Sequence, residues 1–397
     1  MTGSVFTLEA LNAAHGDALL LHYGPSDKPR LIVVDGGPAG VYKASLSPRL
    51  NGIRSKRGGG TLEIRMVIVS HIDDDHVTGI LDFTKDLLEA KNNKSDLPFD
   101  VLTLWHNSFD DIVAQAGAKA ASVIHATKLP QGPQGGEAIL ASVKQGRQLR
   151  LDADDLAINM NSGFDDLIQF DAKQVKRLNM GAGLTFTVLG PRRAELDALE
   201  GKWEKEVKAL LAKKAKAKKG GKKKGGGASI DGAQLSAADY QAIAADYVDE
   251  SIHNLSSIVV LVEFAGKRIL LTGDARGDFI LESLKEAGLL TNGRCSVDIF
   301  KVPHHGSFRN AESSLFETIV AKHYVFSANG RDGNPDPPTF GLLFSARPTG
   351  SYEIWLTNEV AAASKYIKKN KPKGVKVHTR ADRESSVLIE LGDPVSV

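Results

Sequence analysis

Apolar and polar positions alternate, or apolar residues run in short blocks, at the beginning of the chain. Three such runs in the first 37 residues predict strands: SVFTLEAL, DALLLHYG and RLIVVDGG. Next, TLEIRMVIVS predicts a further strand, and the apolar spacing of VTGILDFTKDLLEAKNN predicts a helix before a strand in DVLTLWHN. A strand, helix, strand order is typical of α/β proteins.

The same patterning resumes from residue 254. The stretch SSIVVLVEFAGKRILLTGD predicts a β-hairpin that turns at AGK, and ARGDFILESLKEAGLL predicts a helix. A strand in SVDIFKVPHHGS and a helix over about 310–322 follow, and the chain closes with strands in HYVFSANG, EIWLT and SVLIEL. Between these β-rich parts, residues 110–245 are rich in alanine, leucine and charge, which predicts a mainly helical insertion.

Composition limits the class of protein. Of the 397 residues, 42% are hydrophobic and 25% are charged, which is ordinary for a globular protein with a sizeable core. Eight lysines lie within 213–224, so the net charge of +2 leaves the remainder of the chain mildly acidic. The Lys/Gly-rich segment 212–229 cannot form a core, and we expect a flexible loop there.

Several absences predict a cytoplasmic protein that does not cross a membrane. Cys295 is the single cysteine, which excludes an intrachain disulfide and suits a reducing compartment. The beginning of the chain has no basic segment followed by an apolar one, as a signal peptide would have. No apolar run reaches the roughly 20 residues of a membrane-spanning helix.

The stretch VIVSHIDDDHVTG places five metal-ligand side chains directly after a predicted strand: His71, Asp73, Asp74, Asp75 and His76. Carboxylate oxygen and imidazole nitrogen bind Zn²⁺, Mn²⁺ and iron, and a bound cation removes the repulsion between crowded carboxylates. The aspartates alone fit a solvated loop or a helix N-cap equally well. The two histidines that flank them favour a metal site.

Two further predicted strands end in residues of the same kind. Asp274 follows RILLTG, and His304 and His305 follow DIFKVP. A histidine pair by itself is more often structural. Three strand ends of this type in one chain nevertheless indicate a shared site, because loops at strand ends are where a rigid scaffold presents functional groups.

These motifs resemble the metallo-β-lactamase fold family of metallohydrolases. The signature of that family is His-x-His-x-Asp-His after a strand, and this chain has an aspartate, Asp73, in place of the second histidine. The variant, with DGG at 35–37, NLSS at 254–257, LTGD at 271–274 and VPHHGS at 302–307, is similar to the hydrolase domain of the DNA-uptake competence channel protein. The resemblance covers about 5–108 and 250–395. It implies an αββα sandwich formed by one domain, 1–397, with the insertion at about 110–245.

The resemblance also implies roles for the motif residues. His71 and Asp73 would bind one divalent metal ion, and Asp75 and His76 would bind a second. Asp274 would bridge the two ions, and Asp75 and Asp274 would be the catalytic carboxylates. An oxygen ligand at position 73 shifts the preference toward manganese, although zinc also fits.

The remaining implied residues complete or support this centre. His304 or His305 would be the last ligand of the second metal, with His304 favoured. Asp35 would orient the ligands from behind, as would Asn254. Many relatives supply a further histidine ligand, for which His106 is the nearest candidate here, although a histidine that caps a strand end beside Trp105 is the favoured explanation of this residue.

Two such ions about 3.5–4 Å apart can activate a water and stabilise a phosphoryl transfer, so we expect a phosphodiesterase or nuclease that acts through a metal-bound hydroxide. Ser307 and Arg309 are candidate substrate-binding residues, although turn hydrogen bonds explain Ser307 equally well. The lysine tract and a second basic stretch at 365–380 make a nucleic acid or nucleotide a plausible partner. Two alternatives remain: a hydrolase of a small ester, lactone, thioester or nucleotide, and a non-catalytic subunit with a vestigial metal site.

Overall fold

The computed structural model describes residues 3–108, 136–197 and 254–395, apart from the side chains at 136–143 and 255. In the first half of the described chain the strands are β1 Ser4–Leu11, β2 Leu19–Pro25, β3 Arg30–Val34, β4 Leu62–Ile64, β5 Met66–Ile68, β6 Phe99–Val101, β7 Thr103–Trp105, β8 Asn159–Met160 and β9 Arg177–Gly181. In the second half they are β10 Leu184–Gly190, β11 Val259–Phe264, β12 Lys267–Leu271, β13 Cys295–Lys301, β14 Ile319–Phe326, β15 Glu353–Leu356, β16 Lys376–Thr379 and β17 Ser386–Glu390.

The α-helices of the described chain lie between these strands. They are α1 Ser47–Lys56, α2 Asp74–Asn92, α3 Gly136–Leu156, α4 Gly277–Glu286, α5 Ser313–Thr318, α6 Pro337–Ala346 and α7 Ala361–Asn370. Short 3₁₀ turns at Asn254–Ser256, His304–Gly306 and Phe308–Asn310 follow or precede strands at the edge where the predicted ligands lie.

Two large mixed sheets form the centre of the protein. The first has the strand order β17-β1-β2-β3-β5-β7-β8, and the second has the order β16-β15-β14-β13-β12-β11-β10-β9. In each sheet, antiparallel strands pass into parallel ones: β3, β5, β7 and β8 are parallel in the first, and β12 to β16 are parallel in the second. The small sheet β4-β6 lies apart from both.

Both faces of both sheets are buried, which explains the unbroken apolar runs. Leu19 and Leu21 of β2 pack between the sheets, whereas Leu20 packs outward under α1, α2 and α3. In the second sheet, Val260 points between the sheets and Leu261 points toward the layer of α4 to α7. The described chain is therefore an αββα sandwich, as the sequence predicts.

The element boundaries correct four predictions from the sequence. The stretch TLEIRMVIVS is two strands, β4 and β5, which belong to different sheets, and DVLTLWHN is likewise divided between β6 and β7. The helix expected over 310–322 is confined to α5, because β14 begins at Ile319. Helices α1, α6 and α7 were not predicted; the first two carry a proline in their first turn, a position that a helix tolerates well.

The predicted insertion lies partly outside the described residues, and so does its Lys/Gly-rich segment 212–229. Within the described part, α3 is helical as predicted, while β8, β9 and β10 join the two large sheets. The division into one domain with an insertion stays a prediction. Among the described residues, no helix has the length and apolar character needed to cross a membrane.

Candidate metal centre

The candidate site lies at one edge of the sandwich, where parallel strands of both sheets end. Asp35 follows β3, and His71 comes three residues after β5. From the facing sheet, Asp274 follows β12, and His304 follows β13. Because neighbouring parallel strands end at the same edge, these four segments converge from two sheets onto one place.

Asp274 is the centre of the group. Its carboxylate is buried, and its oxygens lie 3.3 Å from Nε2 of His76 and 3.4 Å from Nε2 of His305. The Nε2 atoms of His71 and His304 lie 3.8 Å from the same carboxylate. Four imidazoles from two sheets thus surround a single carboxylate, at the residue for which the family resemblance implies a bridging ligand.

Each of the four histidines uses its Nδ1 atom for a hydrogen bond away from Asp274. His76 donates to Asp35 Oδ2 at 2.9 Å, and His71 lies 3.1 Å from Ser70 Oγ. The other two donate to oxygens of the second sheet's loops, His304 to Asn310 Oδ1 at 2.6 Å and His305 to the Ser327 carbonyl at 2.9 Å. This pattern leaves every Nε2 lone pair facing inward, as metal coordination requires.

Asp35 fixes the loop that carries two of the histidines. Its carboxylate accepts hydrogen bonds from both the backbone N–H and the hydroxyl of Ser70, each at 2.7 Å, in addition to the one from His76. The loop can approach so closely because Gly36 packs against Gly79 of α2, where a Cβ on either glycine would lie within 2.4 Å of backbone. The orienting role implied for Asp35 therefore has a geometric basis.

The three consecutive aspartates point in different directions. Asp73 is the N-cap of α2 but makes no capping hydrogen bond with its side chain, and its Oδ2 lies 3.6 Å from His71 Nε2. Asp75 Oδ2 lies 3.2 Å from His305 Nε2. Asp74 turns outward, where it accepts hydrogen bonds from Thr78 and Gln145. The first and third aspartates thus contact the site, and the middle one does not.

The turn after β13 is strained in a way that brings both of its histidines inward. His304 and His305 have φ values of 48° and 56°, in the left-handed region that non-glycine residues rarely adopt, and Gly306 follows at 84°. His305 contacts Asp75 and His76, so this histidine, rather than His304, groups with the second set of predicted ligands. His304 approaches the same Asp274 oxygen as His71.

The charges in the site call for a cation. The Nε2 atoms of His76 and His305 are only 3.2 Å apart, a distance at which two lone pairs repel unless a proton or a metal lies between them. Burial would lower the pKa of both histidines, but the surrounding aspartates, Asp274 foremost, raise it well above its ordinary value. Conversely, burial raises the pKa of the Asp274 carboxyl, and the histidines outweigh that effect and lower it. The raised pKa values mean that His76 and His305 hold protons when no metal is bound, and a divalent cation would replace these protons.

Two buried atoms support coordination directly. Among the described residues, neither His71 Nε2 nor Asp274 Oδ1 has a hydrogen-bond partner. A buried polar atom without a partner costs about 1–3 kcal/mol, and such an atom in a native protein calls for an explanation. The nitrogen and oxygen donor set, its burial and these two atoms all fit a divalent metal ion.

The sequence did not single out Asp17 and Lys301, which lie directly behind His305. Asp17 is buried, with Oδ1 at 3.4 Å from His305 Nδ1 and Oδ2 at 2.5 Å from the ammonium of the equally buried Lys301. Although Asp17 lies near the ligand atoms, it faces the Nδ1 side of the ring, opposite to Nε2. We therefore regard it as a residue that orients His305, not as a ligand.

Asn310 is a second residue that the sequence did not reveal. Besides accepting from His304, its amide donates to the carbonyl of Asp274 at 3.1 Å and so joins the loops after β12 and β13. The only available signals were its place three residues after HHGS and, for Asp17, the small residues of AAHGDA. Neither pattern distinguishes such a role from an ordinary turn.

The predicted supporting and substrate residues lie near this centre in different settings. The Asn254 amide nitrogen is 3.4 Å from His304 Nδ1, and Asn254 is buried. Ser307 is also buried, and its hydroxyl accepts from the backbone N–H of Arg309, whose side chain is exposed. The roles of these residues in binding substrate stay predictions.

His106 does not join the group around Asp274. It is fully buried between β7 and α3, where a Cβ at Gly146 would lie 3.1 Å from its Nε2, and neither ring nitrogen has a hydrogen-bond partner among the described residues. Burial lowers the pKa of His106 to about 3, with help from the charge of Arg150, so the ring is neutral. This setting is that of a core side chain.

Comparisons with known proteins add little to these observations. No protein-family model and no curated protein matches the sequence. Among solved structures, the chain is similar to the metallo-β-lactamase fold protein YhfI from Bacillus subtilis, with 11% sequence identity, a TM-score of 0.38, and coverage of 97% of this chain and 99% of that chain. A likeness at this level carries no argument about the site.

The class of protein instead rests on the topology and on the arrangement of side chains. Two mixed sheets lie between two helical layers, as in the metallo-β-lactamase fold, and the motifs at the strand ends meet around Asp274. The described chain is thus a sandwich of the metallo-β-lactamase type, whose loop edge carries a buried His/Asp group that could hold a metal ion.

Proposed function

We propose that the chain is a metal-dependent phosphodiesterase with a nucleic-acid substrate. The observation that carries the proposal is the placement of four inward-facing Nε2 atoms within 3.3 to 3.8 Å of the Asp274 carboxylate. A structural ion pair does not need four imidazole nitrogens around one carboxylate, whereas nitrogen and oxygen donors of this kind are the ligands of divalent metal ions.

The donor set divides into two groups that share Asp274. His71 and Asp73 form one group, approached by His304, and the other contains Asp75, His76 and His305. Zinc or manganese ions bound there would polarise a phosphoryl oxygen and lower the pKa of a water molecule. The number and identity of the ions are part of the proposal.

The protein's own residues would orient the metal ligands and accept the proton of an attacking water. Asp35 and the Ser327 carbonyl accept hydrogen bonds from Nδ1 of His76 and His305 and would hold both rings in the tautomer whose Nε2 faces inward. Asp75 keeps 22% of its side chain exposed, so its carboxylate lies at the mouth of the site and can accept the proton of an attacking water. Asp274, almost fully buried, excludes bulk water from the floor of the centre.

A cationic group at the mouth of the site, Arg331, supports an anionic substrate. The guanidinium of Arg331 lies 3.2 Å from the ring of His15, and both side chains reach solvent. The His15 loop packs onto the beginning of α2, with the Asp17 N–H 3.3 Å from the Asp75 carbonyl. A phosphate that entered beside Asp75 would therefore meet Arg331, whose planar donors match phosphate oxygens.

The test compares two neighbouring aspartates, of which only Asp75 faces the site. Asp75→Asn should lower the metal-dependent hydrolysis of single- and double-stranded DNA and RNA by about 10²-fold or more, since it removes an acid of the centre. Asp74→Asn is the matched control, and its activity should stay within about threefold because that side chain faces away from the site.

Each outcome has a distinct meaning. Metal bound by the wild type, measured by elemental analysis, together with cleavage lost in Asp75→Asn alone, would support the proposal. Bound metal without cleavage of any polymer would contradict a nuclease and direct the search to small esters and nucleotides. Failure to bind metal would favour a non-catalytic subunit.

A further inference from the structure

A cleft of about 910 Å³ lies at the far end of the first sheet from the metal centre. The β2–β3 turn, the end of α1 and the chain leading into β4 and β5 line it, and the β9–β10 turn closes one side at Ala182. Basic side chains dominate the lining: Lys28, Arg30, Arg54, Lys56, Arg57 and Arg65.

The direction of the strands separates the cleft from the metal centre. Arg30 is the first residue of β3, whereas Asp35 follows its last residue. At about 3.3 Å per residue, the two ends lie about 15 Å apart. In the same way, Arg65 precedes β5 and His71 follows it. A ligand bound in the cleft therefore does not touch the metal ligands.

The lining carries an excess of positive charge that its acids do not balance. Asp27 and Glu63 are the acidic residues that line the cleft with the six basic ones, and Glu63 already pairs with Arg65 at 3.2 Å. Clefts of one sign of charge focus the electrostatic field and concentrate ions of the opposite sign.

Two guanidinium groups also have unused donors. Nε of Arg54, and both Nε and Nη2 of Arg57, are buried and have no hydrogen-bond partner among the described residues. Burial lowers the pKa of Arg57, and no carboxylate offsets this effect. Buried donors of a charged group without an acceptor are costly, and the negative charge of an anion bound in the cleft that Arg54 and Arg57 line would offset part of that cost.

We propose that this cleft is a second binding site, which holds the phosphate groups of a phosphorylated ligand. Arginine donors match phosphate oxygens two at a time, and the volume is in the range of ligand sites of about 300–1,000 Å³. The phosphates can belong to a free nucleotide or to the backbone of a polynucleotide. The proposal does not depend on the function of the metal centre.

The test measures binding to the full chain without added metal, so that no turnover occurs. Inorganic pyrophosphate, ATP and a single-stranded oligonucleotide of eight deoxythymidines are each titrated into the protein by isothermal titration calorimetry. The double variant Arg54→Gln with Arg57→Gln should weaken the binding of at least one of these probes 10-fold or more. Lys85→Gln with Lys285→Gln, which removes one exposed cation from α2 and one from α4, away from the cleft, is the matched control and should change binding less than twofold.

A second cleft variant, made at exposed residues, controls for the possibility that the first variant does not fold. Lys28 and Lys56 are exposed, so Lys28→Gln with Lys56→Gln should fold normally and still weaken binding about threefold or more. Tighter binding of ATP than of the octanucleotide would identify a free nucleotide as the source of the phosphates, and the reverse order would identify a polymer.

Three results would overturn the proposal. The first is no binding of any probe at millimolar concentration, and the second is an equal loss in the cleft and control variants. The third is binding that disappears in Asp75→Asn but persists in both cleft variants, since it would place the phosphate at the metal centre. Binding in the cleft by a wild-type protein that cleaves no nucleic acid in the separate hydrolysis assay would contradict only the proposed activity.

Discussion

Lys301 is buried at the end of β13, and its ammonium group neutralises Asp17 behind His305. Burial would raise the pKa of the Asp17 carboxyl, but the charges of Lys301 and His305 outweigh that effect and lower it. The carboxylate is therefore ionised while fully buried, so it depends on its cation for its stability.

Removal of this cation should be costly. We expect Lys301→Met to lower the free energy of unfolding by about 3–5 kcal/mol, because Asp17 would remain as an uncompensated buried charge. Urea denaturation measures the change. Lys322→Met is the control: Lys322 also pairs with an aspartate, Asp298 at 2.7 Å, but its side chain is 64% exposed, so its loss should cost less than about 1 kcal/mol. Equal costs for the two variants would contradict this account.

His106 presents the opposite situation, a buried polar ring without a partner among the described residues. We expect His106→Leu to raise the free energy of unfolding by about 1 kcal/mol, because it removes an unsatisfied group of similar size, and to leave the bound metal unchanged. His22→Leu is the contrasting variant, since His22 is buried in a hydrogen bond with Glu9 at 3.0 Å, and this variant should lower stability. A fall in metal content in His106→Leu would instead make His106 a ligand.

At the scale of elements, the turn after β13 decides whether the histidines face the site. Gly306 allows this turn: its φ is 84°, and a Cβ there would lie 2.6 Å from the Phe326 ring and 2.9 Å from Pro335. The strain of two left-handed histidines, about 1–3 kcal/mol each, is tolerated because the surrounding packing holds the turn in one conformation.

Gly306→Ala separates packing from backbone strain. We expect it to lower the free energy of unfolding by about 2–4 kcal/mol and to reduce the bound metal, since the turn must shift. Gly288→Ala is matched in conformation, with φ at 66°, but its Cβ would meet no atom within 4 Å. In this control, the free energy of unfolding should fall by only about 1 kcal/mol and the amount of bound metal should not change. Equal metal content in the two variants would show that the turn does not position the ligands.

The elements themselves could be predicted to different degrees. Strands buried on both faces, such as β2 and β11, follow from their apolar runs. The division of TLEIRMVIVS between two sheets could not be foreseen, because its apolar pattern continues across the break at Arg65. Helix α5 is shorter than its pattern suggests, since the residues from Ile319 onward complete the second sheet instead.

At the scale of the whole molecule, one buried carboxylate joins the first and last strands of the described residues. Glu9 of β1 accepts hydrogen bonds from His22 of β2, Arg49 of α1 and Ser386 of β17. Burial would raise the pKa of Glu9, but the bonds from His22 and Arg49 outweigh it and lower the pKa to about 2. The first and last strands therefore depend on an ionised carboxylate.

This cluster predicts sensitivity to acid. Because the folded pKa of Glu9 lies below the unfolded value, its contribution of about 3 kcal/mol is present above about pH 4.5 and is lost as the pH falls toward 2. Burial also lowers the pKa of His22, which destabilises the fold in the same direction below about pH 6.5. Glu9→Gln should therefore reduce the fall in the free energy of unfolding between pH 5 and pH 3, as followed by thermal unfolding. Glu63→Gln, at a half-exposed residue, should leave this fall unchanged.

The sequence by itself determined the local chemistry of this protein. Apolar runs define most strands, and ligand-type residues at three strand ends indicate a metal site, because strand formation and donor chemistry depend on neighbouring residues. The sandwich was inferred from the resemblance of these motifs.

Tertiary structure alone decided which groups meet. It turned Asp74 away from the site, placed Asp17 and Lys301 behind His305, left His106 in the core and gathered six cations in a cleft far from the metal centre. Residues separated by hundreds of positions come together only when two sheets stack. The directions of their side chains then follow from packing between layers, which no local pattern encodes.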